Sequence, residues 1–539
     1  LGAASFGVAG ASIVAQGVHE KNKQLVIAGS ATIAGALALA ATTVFSRQQP
    51  TKTMAAVIDQ LHQLADEYPS EQSILDKEDR FEYDFKAIFK RDIEEIPKNA
   101  RGEKNRQVLI DHCENAFRRF VSRDEHTSTT DLKNLKLILT NKVQDFCESS
   151  REVCLRVETD KPKIQEEFFK NKQSLGTFQV RLDSGETHHK GRQVAFITFN
   201  GNDTQQVVYK PRDMRIDALI AGHSEQQNSL FTSVNAHLSA DVESSINLPT
   251  YQFLNIEEGG KRYGYATFLS HKPDDYILNP TEMKTYYRTI GAIQAIAQIF
   301  GIVDLHRENI LVHDKKPYPI DLEVSFDLET LSRGQEIPVS TGLDNAVREY
   351  GIPSIDGITK PTQNKVELME KNGQIIPMET HYTMYHQEYI SEMEKGFEIL
   401  KEKLTTPEAK GLLIDFIAAI PDNLEIRFVP IPTGDLLRIM QGNVENVAKC
   451  LAQTLNYNPA LPYHIEQSVT ERQTSEDVLH VDVPRMTTGM NGDVDYNGLL
   501  FLKVTGKDIK SVLQKKVTDI EFMVLDSDFK ESLDYFKRN

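Results

Sequence analysis

Val303 to Phe326 reads V-D-L-H-R-E-N-I-L-V-H-D-K-K-P-Y-P-I-D-L-E-V-S-F. This segment places Asp304 and Asn309 five positions apart, and Asp321 follows twelve positions later. An apolar run at 310–312 and a charged turn at 313–316 lie between them. The pattern predicts a loop, a short strand, a turn and a second short strand, with acidic groups at the ends. A polar loop between two β-strands without a catalytic role is the alternative interpretation.

The spacing of the three polar residues is similar to that of the catalytic segments of protein kinases. In kinases, the Asp of D-L-x-x-x-N receives the substrate proton, while its Asn and the Asp of a following strand hold magnesium on the ATP phosphates. Asp304, Leu305 and Asn309 meet the D-L-x-x-x-N pattern, and Asp321 is the candidate for the second acidic group.

Composition limits the classes of function that the chain can have. The 539 residues are 40% hydrophobic and 26% charged, so the chain can bury a large core and exceeds the usual length of one domain. A net charge of −17 argues against nucleic acid as the main partner. The four cysteines form neither C-x-x-C nor a zinc-type spacing, which is typical of reduced thiols in a cytoplasmic compartment.

The N-terminal residues 1–45 form an apolar segment with two uncharged runs. The second run, Leu25 to Phe45, has 21 residues, which is enough to span a bilayer core. Because alanine and glycine dominate it, a membrane hairpin and a pair of buried helices both remain open. The first interpretation predicts membrane association through residues 1–45.

Residues 46–175 are predicted to form a helical region with no evident chemistry, which supports the core or binds a partner. Apolar residues recur there at intervals of three and four. The predicted helices are Met54–Tyr68, Ser73–Ile96, Lys104–Ser122, Thr130–Arg156 and Lys163–Lys172.

From residue 176 onwards, alternating residues and turn signals predict an antiparallel meander. Its strands are expected at 178–182, 194–199 and 205–210, followed by a helical stretch at 214–239, strands at 251–256 and 262–269, and a helix at 282–300. Lys210 ends the third strand, where kinases place the lysine that grips ATP phosphates, although a surface lysine on an edge strand is the alternative. This order of elements predicts an α+β fold with a bilobal lipid/protein-kinase-like core and helical additions at both ends.

Seven motifs, in order from about 176 to 500, resemble the dehydratase domain of class II lanthipeptide synthetases, the LanM family. The family patterns are G-D-x-H-x-x-G-R, Y-K-P-R, Y-G-W-x-E-F, D-L-H-x-E-N, I-D-L-E, R-x-x-x-R-x-T and G-D-I-P-Y-F. The matching segments here are 185–192, 209–212, 263–268, 304–309, 320–323, 427–433 and 492–496.

The resemblance implies a two-step reaction. ATP phosphorylates a Ser or Thr of a peptide or protein, and the phosphate is then eliminated to leave dehydroalanine or dehydrobutyrine. For transfer, the resemblance implies that Lys210, with Arg212 of the same motif, binds the ATP phosphates. It implies that Asp304 orients or deprotonates the substrate hydroxyl and that His306 orders the loop. Asn309 and Asp321 are the implied Mg²⁺ ligands. For elimination, the matching residues are Glu186, His188, Arg427 and Thr433, with Lys210 shared.

The chain departs from the family at several of these positions. Glu186 stands in place of Asp, and Ile431 replaces the second Arg of R-x-x-x-R-x-T. Tyr265 replaces the Trp of Y-G-W, and no cyclase-type zinc ligands follow the last motif. Phosphorylation is therefore better supported than elimination. For His188 an exposed turn residue, and for Arg427 a structural ion-pair partner, are the alternatives.

The resulting organisation has four parts: the apolar segment 1–45, the helical region 46–175, a kinase-like core at 176–340 with the nucleotide and metal site, and a mixed C-terminal part at 341–539 with the elimination segment. Two other functions stay open, namely a kinase-like enzyme of another specificity (a protein or lipid kinase or an AMP transferase) and a catalytically inactive kinase-like binding module. The expected partners are a nucleotide and a peptide or protein substrate, in a bacterial-type cytoplasm.

Overall fold

The computed structural model describes residues 96–113, 129–170, 174–223, 229–238, 246–270, 275–327, 330–331, 354–355, 368–371, 374–377, 387–429, 463–465, 485–496, 499–504 and 508–524, without 103, 106, 110, 184, 276, 307 and 308. All of them belong to one compact unit, Ile88–Asn539. The predicted apolar segment 1–45 lies outside the described residues. Among the helices that are described, none combines the length and the apolar character needed to cross a bilayer.

The helical region includes a 40-residue helix, α1, which runs from Thr129 to Phe168, and residues 104–113 are also helical where they are described. The prediction of two helices separated near residue 160 was wrong, because the helix continues through Pro162. Proline removes one amide donor and crowds the preceding turn, so an interior proline normally kinks or ends a helix. Here Val157 and Ile164, which flank Pro162, are both fully buried, and this packing keeps the helix continuous.

The predicted meander is confirmed as a five-stranded antiparallel sheet with the strand order β1-β2-β3-β5-β4. The observed bounds lie within two residues of the predicted ones. The strands are β1 (Phe178–Leu182), β2 (Ala195–Phe199), β3 (Gln206–Lys210), β4 (Phe253–Glu258) and β5 (Lys261–Thr267). Alternate residues of β1 and β2 are fully buried, as expected for a sheet with one face on a core.

Helix α1 supports this sheet through buried polar contacts. Tyr263 and Tyr265 donate their hydroxyl hydrogens to Asp160 at 2.9 and 3.0 Å. Arg156 lies over the Tyr263 ring at 3.9 Å and donates to the Tyr209 hydroxyl at 2.5 Å. Because buried tyrosine hydroxyls need partners, these contacts fix the sheet against the helix. The helical region therefore positions the strand that ends at Lys210.

The predicted helical stretch 214–239 consists of two helices, α2 (Arg215–Ala221) and α3 (Leu230–Leu238). Helix α2 ends because Gly222 adopts an extended conformation, with φ −68 and ψ 146, and forms a bridge with Tyr251. The short helix α2 is thereby held directly after the Y-K-P-R segment.

A buried helix, α4 (Pro280–Phe300), forms the centre of the core and leads to the Asp304 loop. Asn279 and Glu282 form a capping box at its start. It packs against α5 (Gln387–Leu404) at a position where glycines of both helices meet the partner backbone. A Cβ on Gly291 would lie 1.9 Å from the Met393 carbonyl oxygen.

The remaining elements complete the C-terminal side. A hairpin follows the Asp304 loop, and a second five-stranded sheet has the order β12-β14-β15-β16-β13. The bounds are β6 (Ile277–Leu278), β7 (Ile310–His313), β8 (Lys316–Pro319), β9 (Ser354–Ile355), β10 (Leu368–Lys371), β11 (Gln374–Pro377), α6 (Pro407–Ala419), β12 (Ile426–Phe428), β13 (Tyr463–Ile465), β14 (Met486–Thr488), β15 (Val494–Tyr496), β16 (Leu499–Val504) and α7 (Ile509–Thr518).

Substitution of Gly291 tests the close packing of α4 against α5. Gly291→Ala should destabilise the protein by about 1–3 kcal/mol, because the added methyl group meets a backbone oxygen that has no room to move. Gly411→Ala is the matched control, since Gly411 lies in the exposed middle of α6 with no atom within 4 Å of the added Cβ. That change should stabilise by about 0.5–1 kcal/mol. Thermal and urea unfolding measure both, and an unchanged midpoint for Gly291→Ala would contradict the packing.

Candidate functional site

The β7–β8 hairpin brings Asn309 and Asp321 to one place. Residues 310–313 of β7 pair with 316–319 of β8 in antiparallel register, as the sequence predicts. Just beyond the last pair, the Ile320 amide donates to the Asn309 carbonyl at 2.8 Å. Asn309 and Asp321 therefore lie at the open end of the hairpin, although eleven residues separate them in the chain.

The Asp304 loop is joined to the segment that follows Asp321. Helix α4 ends at Gly301 in the left-handed conformation, and the Val303 amide donates to the Val324 carbonyl at 3.0 Å. Asp304 (φ 65) and Asp321 (φ 60) also have left-handed backbones. This conformation is uncommon for residues other than glycine, and such strain is concentrated at functional sites.

The Asp321 carboxylate lies between two cations. Its Oδ1 accepts from Lys210 Nζ at 2.7 Å and from Arg212 Nη2 at 2.6 Å. Burial alone would raise the pKa of Asp321, but Lys210 and Arg212 hold it far below the usual range. Its second oxygen, Oδ2, accepts no hydrogen bond from the described residues and is available to a further ligand.

Arg212 donates four hydrogen bonds to protein oxygen atoms, and its fifth N–H group lies close to a carboxylate. Nη1 donates to the Asp213 carbonyl at 2.9 Å and to Asp217 at 2.6 Å. Nη2 donates to Asp217 at 3.0 Å and to Asp321 at 2.6 Å. Nε lies 3.1 Å from a Glu323 oxygen. Burial disfavours this charge, yet Asp217, Glu323 and Asp321 raise the pKa of Arg212 well above its usual value.

Glu323 is a buried carboxylate that three arginines share. Its Oε2 accepts from Arg485 Nη1 at 2.9 Å and lies 3.1 Å from Arg212 Nε, while its Oε1 lies 3.6 Å from Arg427 Nη1. Burial acts to raise the pKa of Glu323, but Arg485, Arg212 and Arg427 lower it to about 2. The Arg427 amide also donates to the Glu323 carbonyl at 2.9 Å.

Asp304 and His306 lie at the solvent side of the site. Their side chains are 52% and 38% exposed, and His306 Nε2 is 3.6 Å from Asp304 Oδ1. Although solvent reaches Asp304, desolvation by the surrounding protein raises its pKa to about 6; Asp321 and Glu323 add to the rise, and His306 and Arg427 oppose it. Asp304 is therefore a carboxylate that takes up a proton close to neutral pH.

Asn309 and Asp321 are the residues that have oxygen atoms to offer a metal. The Asn309 amide nitrogen donates to the Asp304 carbonyl at 2.9 Å, so the Oδ1 of Asn309 remains a possible ligand atom, as does the Oδ2 of Asp321. Mg²⁺ prefers one or two such oxygen ligands together with substrate phosphates. Among the residues that the structure describes, no group of three or more His, Cys, Asp or Glu side chains is arranged to hold a metal.

The 185–192 loop is fastened to helix α1. Lys142 donates to the Thr187 hydroxyl at 2.8 Å, and Arg192 forms an ion pair with Glu152 at 2.9 Å. A Cβ on Gly191 would lie 2.5 Å from the Asp145 side chain, so only glycine fits at this position, where φ is +76. The helical region therefore holds the loop as well as the sheet.

The residues predicted for elimination have different surroundings. Glu186, which is exposed, acts electrostatically on the buried Arg427, and His188 is partly buried in a backbone bridge with Arg192. Thr433 lies outside the described residues. The roles predicted for these side chains stay predictions.

Sequence reasoning did not assign Asp217, Glu323 and Arg485 to the site. Glu323 was visible as the last residue of the I-D-L-E motif, and Asp217 lies five positions after Arg212. No local pattern marks Arg485, because only the pairing of β12 with β14 brings it near Glu323.

Comparison with known proteins supports the resemblance. A family described as "Domain of unknown function (DUF4135)" matches residues 134–368, which include every predicted transfer residue but end before Arg427. Over 203 residues the chain is 28% identical to the lacticin 481/lactococcin biosynthesis protein LcnDR2 of Lactococcus lactis subsp. lactis. The match covers 37% of this chain and 19% of the length of that relative.

Residues 134–368 therefore match the DUF4135 family, and the predicted resemblance to the dehydratase region of class II (LanM-type) lanthipeptide synthetases is confirmed.

Proposed function

We propose that the chain is a LanM-like peptide-modifying enzyme that uses ATP and Mg²⁺ to phosphorylate Ser or Thr of a peptide or protein. The observation that carries the proposal is that Lys210, Asp321, Asn309 and Asp304 come together from three separate segments. The pKa values of the two carboxylates in this group are shifted in opposite directions. Asp321 is held ionised by two cations, while Asp304 is poised to take a proton. A pair of acidic groups with separated pKa values is typical of a catalytic site.

In the transfer step, the substrate hydroxyl oxygen attacks the terminal phosphorus of ATP, and the bond from that phosphorus to the ADP oxygen breaks. Asp304 accepts the hydroxyl proton. Lys210 lies beside the phosphate-binding position and offsets negative charge. Mg²⁺, when bound, would neutralise charge on the phosphates, with Asn309 and Asp321 as its protein ligands. Arg212 keeps Asp321 in place.

A second step, elimination of the new phosphate, is the finer part of the proposal. A base removes the substrate Cα proton, the Cβ–O bond breaks, and its electron pair leaves with the phosphate. In this step the buried Arg427 would stabilise the leaving group, and Glu186 and His188 of the 185–192 loop would serve as acid–base groups. Net loss of one water from the peptide is the expected product.

Substitution of the proposed metal ligand Asp321 tests the transfer step. Candidate Ser/Thr peptides, including those encoded beside this gene, are incubated with the protein, ATP and Mg²⁺, and their intact mass is measured. Asp321→Ala should lower phosphate transfer on the order of 10²–10³-fold, because a fixed charge at the phosphates is lost. Asp422→Ala, which removes a 90% exposed carboxylate from an ion pair with Lys510, is the control. Undiminished transfer by a folded Asp321→Ala variant would sink the site assignment.

The pKa of Asp304 predicts an acidic limb in the pH dependence of transfer. Below about pH 6 the carboxyl group binds a proton and no longer accepts one, so the rate should fall about tenfold per pH unit. Asp304→Asn should remove this limb together with most of the activity. A rate that stays level down to pH 5 would contradict the role of Asp304 as proton acceptor.

The same variant gives a check that needs no substrate. The pKa of Asp304 is raised from 3.8 to about 6, so the folded state binds the proton more tightly than the unfolded state. Stability is therefore lost as pH rises through that window. Asp304→Asn should melt at a higher temperature than the wild type at pH 7–8, and the difference should vanish near pH 4. If Asp304→Asn is less stable than the wild type at neutral pH, ionisation of Asp304 does not destabilise the folded state and its pKa is not raised.

Arg427→Gln separates the two steps. Phosphate transfer should continue, while release of phosphate falls on the order of 10²-fold, so that the phosphopeptide accumulates. Arg262→Gln, which removes a 16% exposed arginine from an ion pair with Glu425, is the control and should leave both steps intact. If Arg427 is only a structural partner of Glu323, both steps or the solubility of the protein will be lost together.

A further inference from the structure

Arg485 is a charged residue near the site to which no role has been given so far. It directly precedes β14, which pairs with β12 in antiparallel register so that Arg427 faces Thr487. Arg485 lies two residues before Thr487, and side chains alternate along a strand. Arg427 and Arg485 are therefore diagonal neighbours on one face of the sheet, within reach of each other's long side chains.

Arg427 and Arg485 contact the same carboxylate. Glu323 lies 3.6 Å from Arg427 and 2.9 Å from Arg485, whereas Arg212 has Asp217 and Asp321 as further partners. Burial and Arg485 lower the pKa of Arg427, while Glu323 and Glu186 oppose this effect. Two guanidinium groups that lie side by side on one face of a sheet can bind a further anion together.

Arg485 also has donors to offer. A guanidinium carries five N–H groups, and Arg485 uses one, from Nη1, on Glu323. No other hydrogen bond links it to the residues that the structure describes, and its side chain is 10% exposed. Arg212, by contrast, makes four hydrogen bonds and one further ion pair through Nε. Arg485 can thus present a planar fork to a ligand while it stays anchored.

We propose that Arg427 and Arg485 together form a phosphate-binding clamp, in which Arg485 supplies the second guanidinium for the phosphate group that leaves the substrate. Arginine forks match phosphate oxygens in geometry and charge, and a dianion balances the two cations. This assignment rests on the proposed elimination step, in which the Cβ–O bond breaks and its electron pair leaves with the phosphate.

Binding of inorganic phosphate tests the clamp without any turnover. Calorimetric titration of the full chain with phosphate should give a measurable affinity for the wild type. Arg485→Gln should weaken it roughly tenfold or more, the loss expected for a charge-assisted hydrogen bond. Arg288→Gln is the control, because Arg288 pairs with Glu392 between α4 and α5, at a different place in the fold. No binding to the wild type, or equal binding to the wild type and Arg485→Gln, would overturn the proposal.

Arg485→Lys is a control for the possibility that Arg485→Gln fails to fold. Lysine keeps a cation beside Glu323 but loses the planar fork, so the melting temperature should be retained while phosphate affinity still falls. If Arg485→Lys binds phosphate as the wild type does, Arg485 is only a counter-charge for Glu323 and the clamp is wrong.

A second experiment places the clamp in the reaction. A synthetic phosphoserine form of an accepted peptide is given to the wild type and Arg485→Gln, and released phosphate is measured beside transfer from ATP. Transfer should remain within about twofold, while release falls on the order of 10²-fold. An equal loss of both steps with unchanged phosphate affinity would overturn the inference. If no peptide is phosphorylated by the wild type, the proposed function fails, and the phosphate titration alone decides on the clamp.

Discussion

The buried guanidinium of Arg212 is the group on which the rest of the site depends. Its four hydrogen bonds and its Nε ion pair join the end of β3, helix α2 and the segment after β8, through Asp213, Asp217, Asp321 and Glu323. A buried arginine with a carboxylate missing would leave an uncompensated charge, which costs far more than an exposed ion pair contributes. The three segments are therefore fixed together, since none can move away without exposing or stranding a charge.

The D-L-E sequence of residues 321–323 shows how this constraint is encoded. Leu322 is buried in the core, and its amide donates to Asp217 at 3.1 Å. The two flanking carboxylates contact different groups of cations. Asp321 thus meets Lys210, and Glu323 meets the arginines of the second sheet. One short segment with a left-handed residue at its start serves both halves of the proposed chemistry.

The sequence predicted the parts of the site that local patterns encode. The hairpin that joins Asn309 to Asp321 follows from the apolar run and the charged turn, and the meander follows from strand alternation and turn residues. Helix α1 was predicted as two helices, because an interior proline such as Pro162 normally destabilises a helix. The burial of Val157 and Ile164, which offsets this destabilisation, cannot be read from local sequence.

Site residues that only long-range strand pairing brings together could not be predicted from the sequence. Arg485 is 58 positions from Arg427, and only the β12–β14 register makes them neighbours. The motif predicted Arg212 in the nucleotide site, but no local pattern indicates that its guanidinium pairs with Asp217, Asp321 and Glu323.

Glu323 explains how transfer and elimination can share one site without interfering. Through Arg212 it belongs to the network that orders Asp321, and through Arg427 and Arg485 it belongs to the proposed phosphate clamp. Because its pKa of about 2 keeps it ionised at any working pH, it holds the clamp arginines in place whether or not phosphate is present. Arg427 and Arg485 lie on one face of the sheet beside Glu323, so this side of the site can attract a phosphate. In the proposed reaction, the product of the first step would meet these two arginines as the substrate of the second.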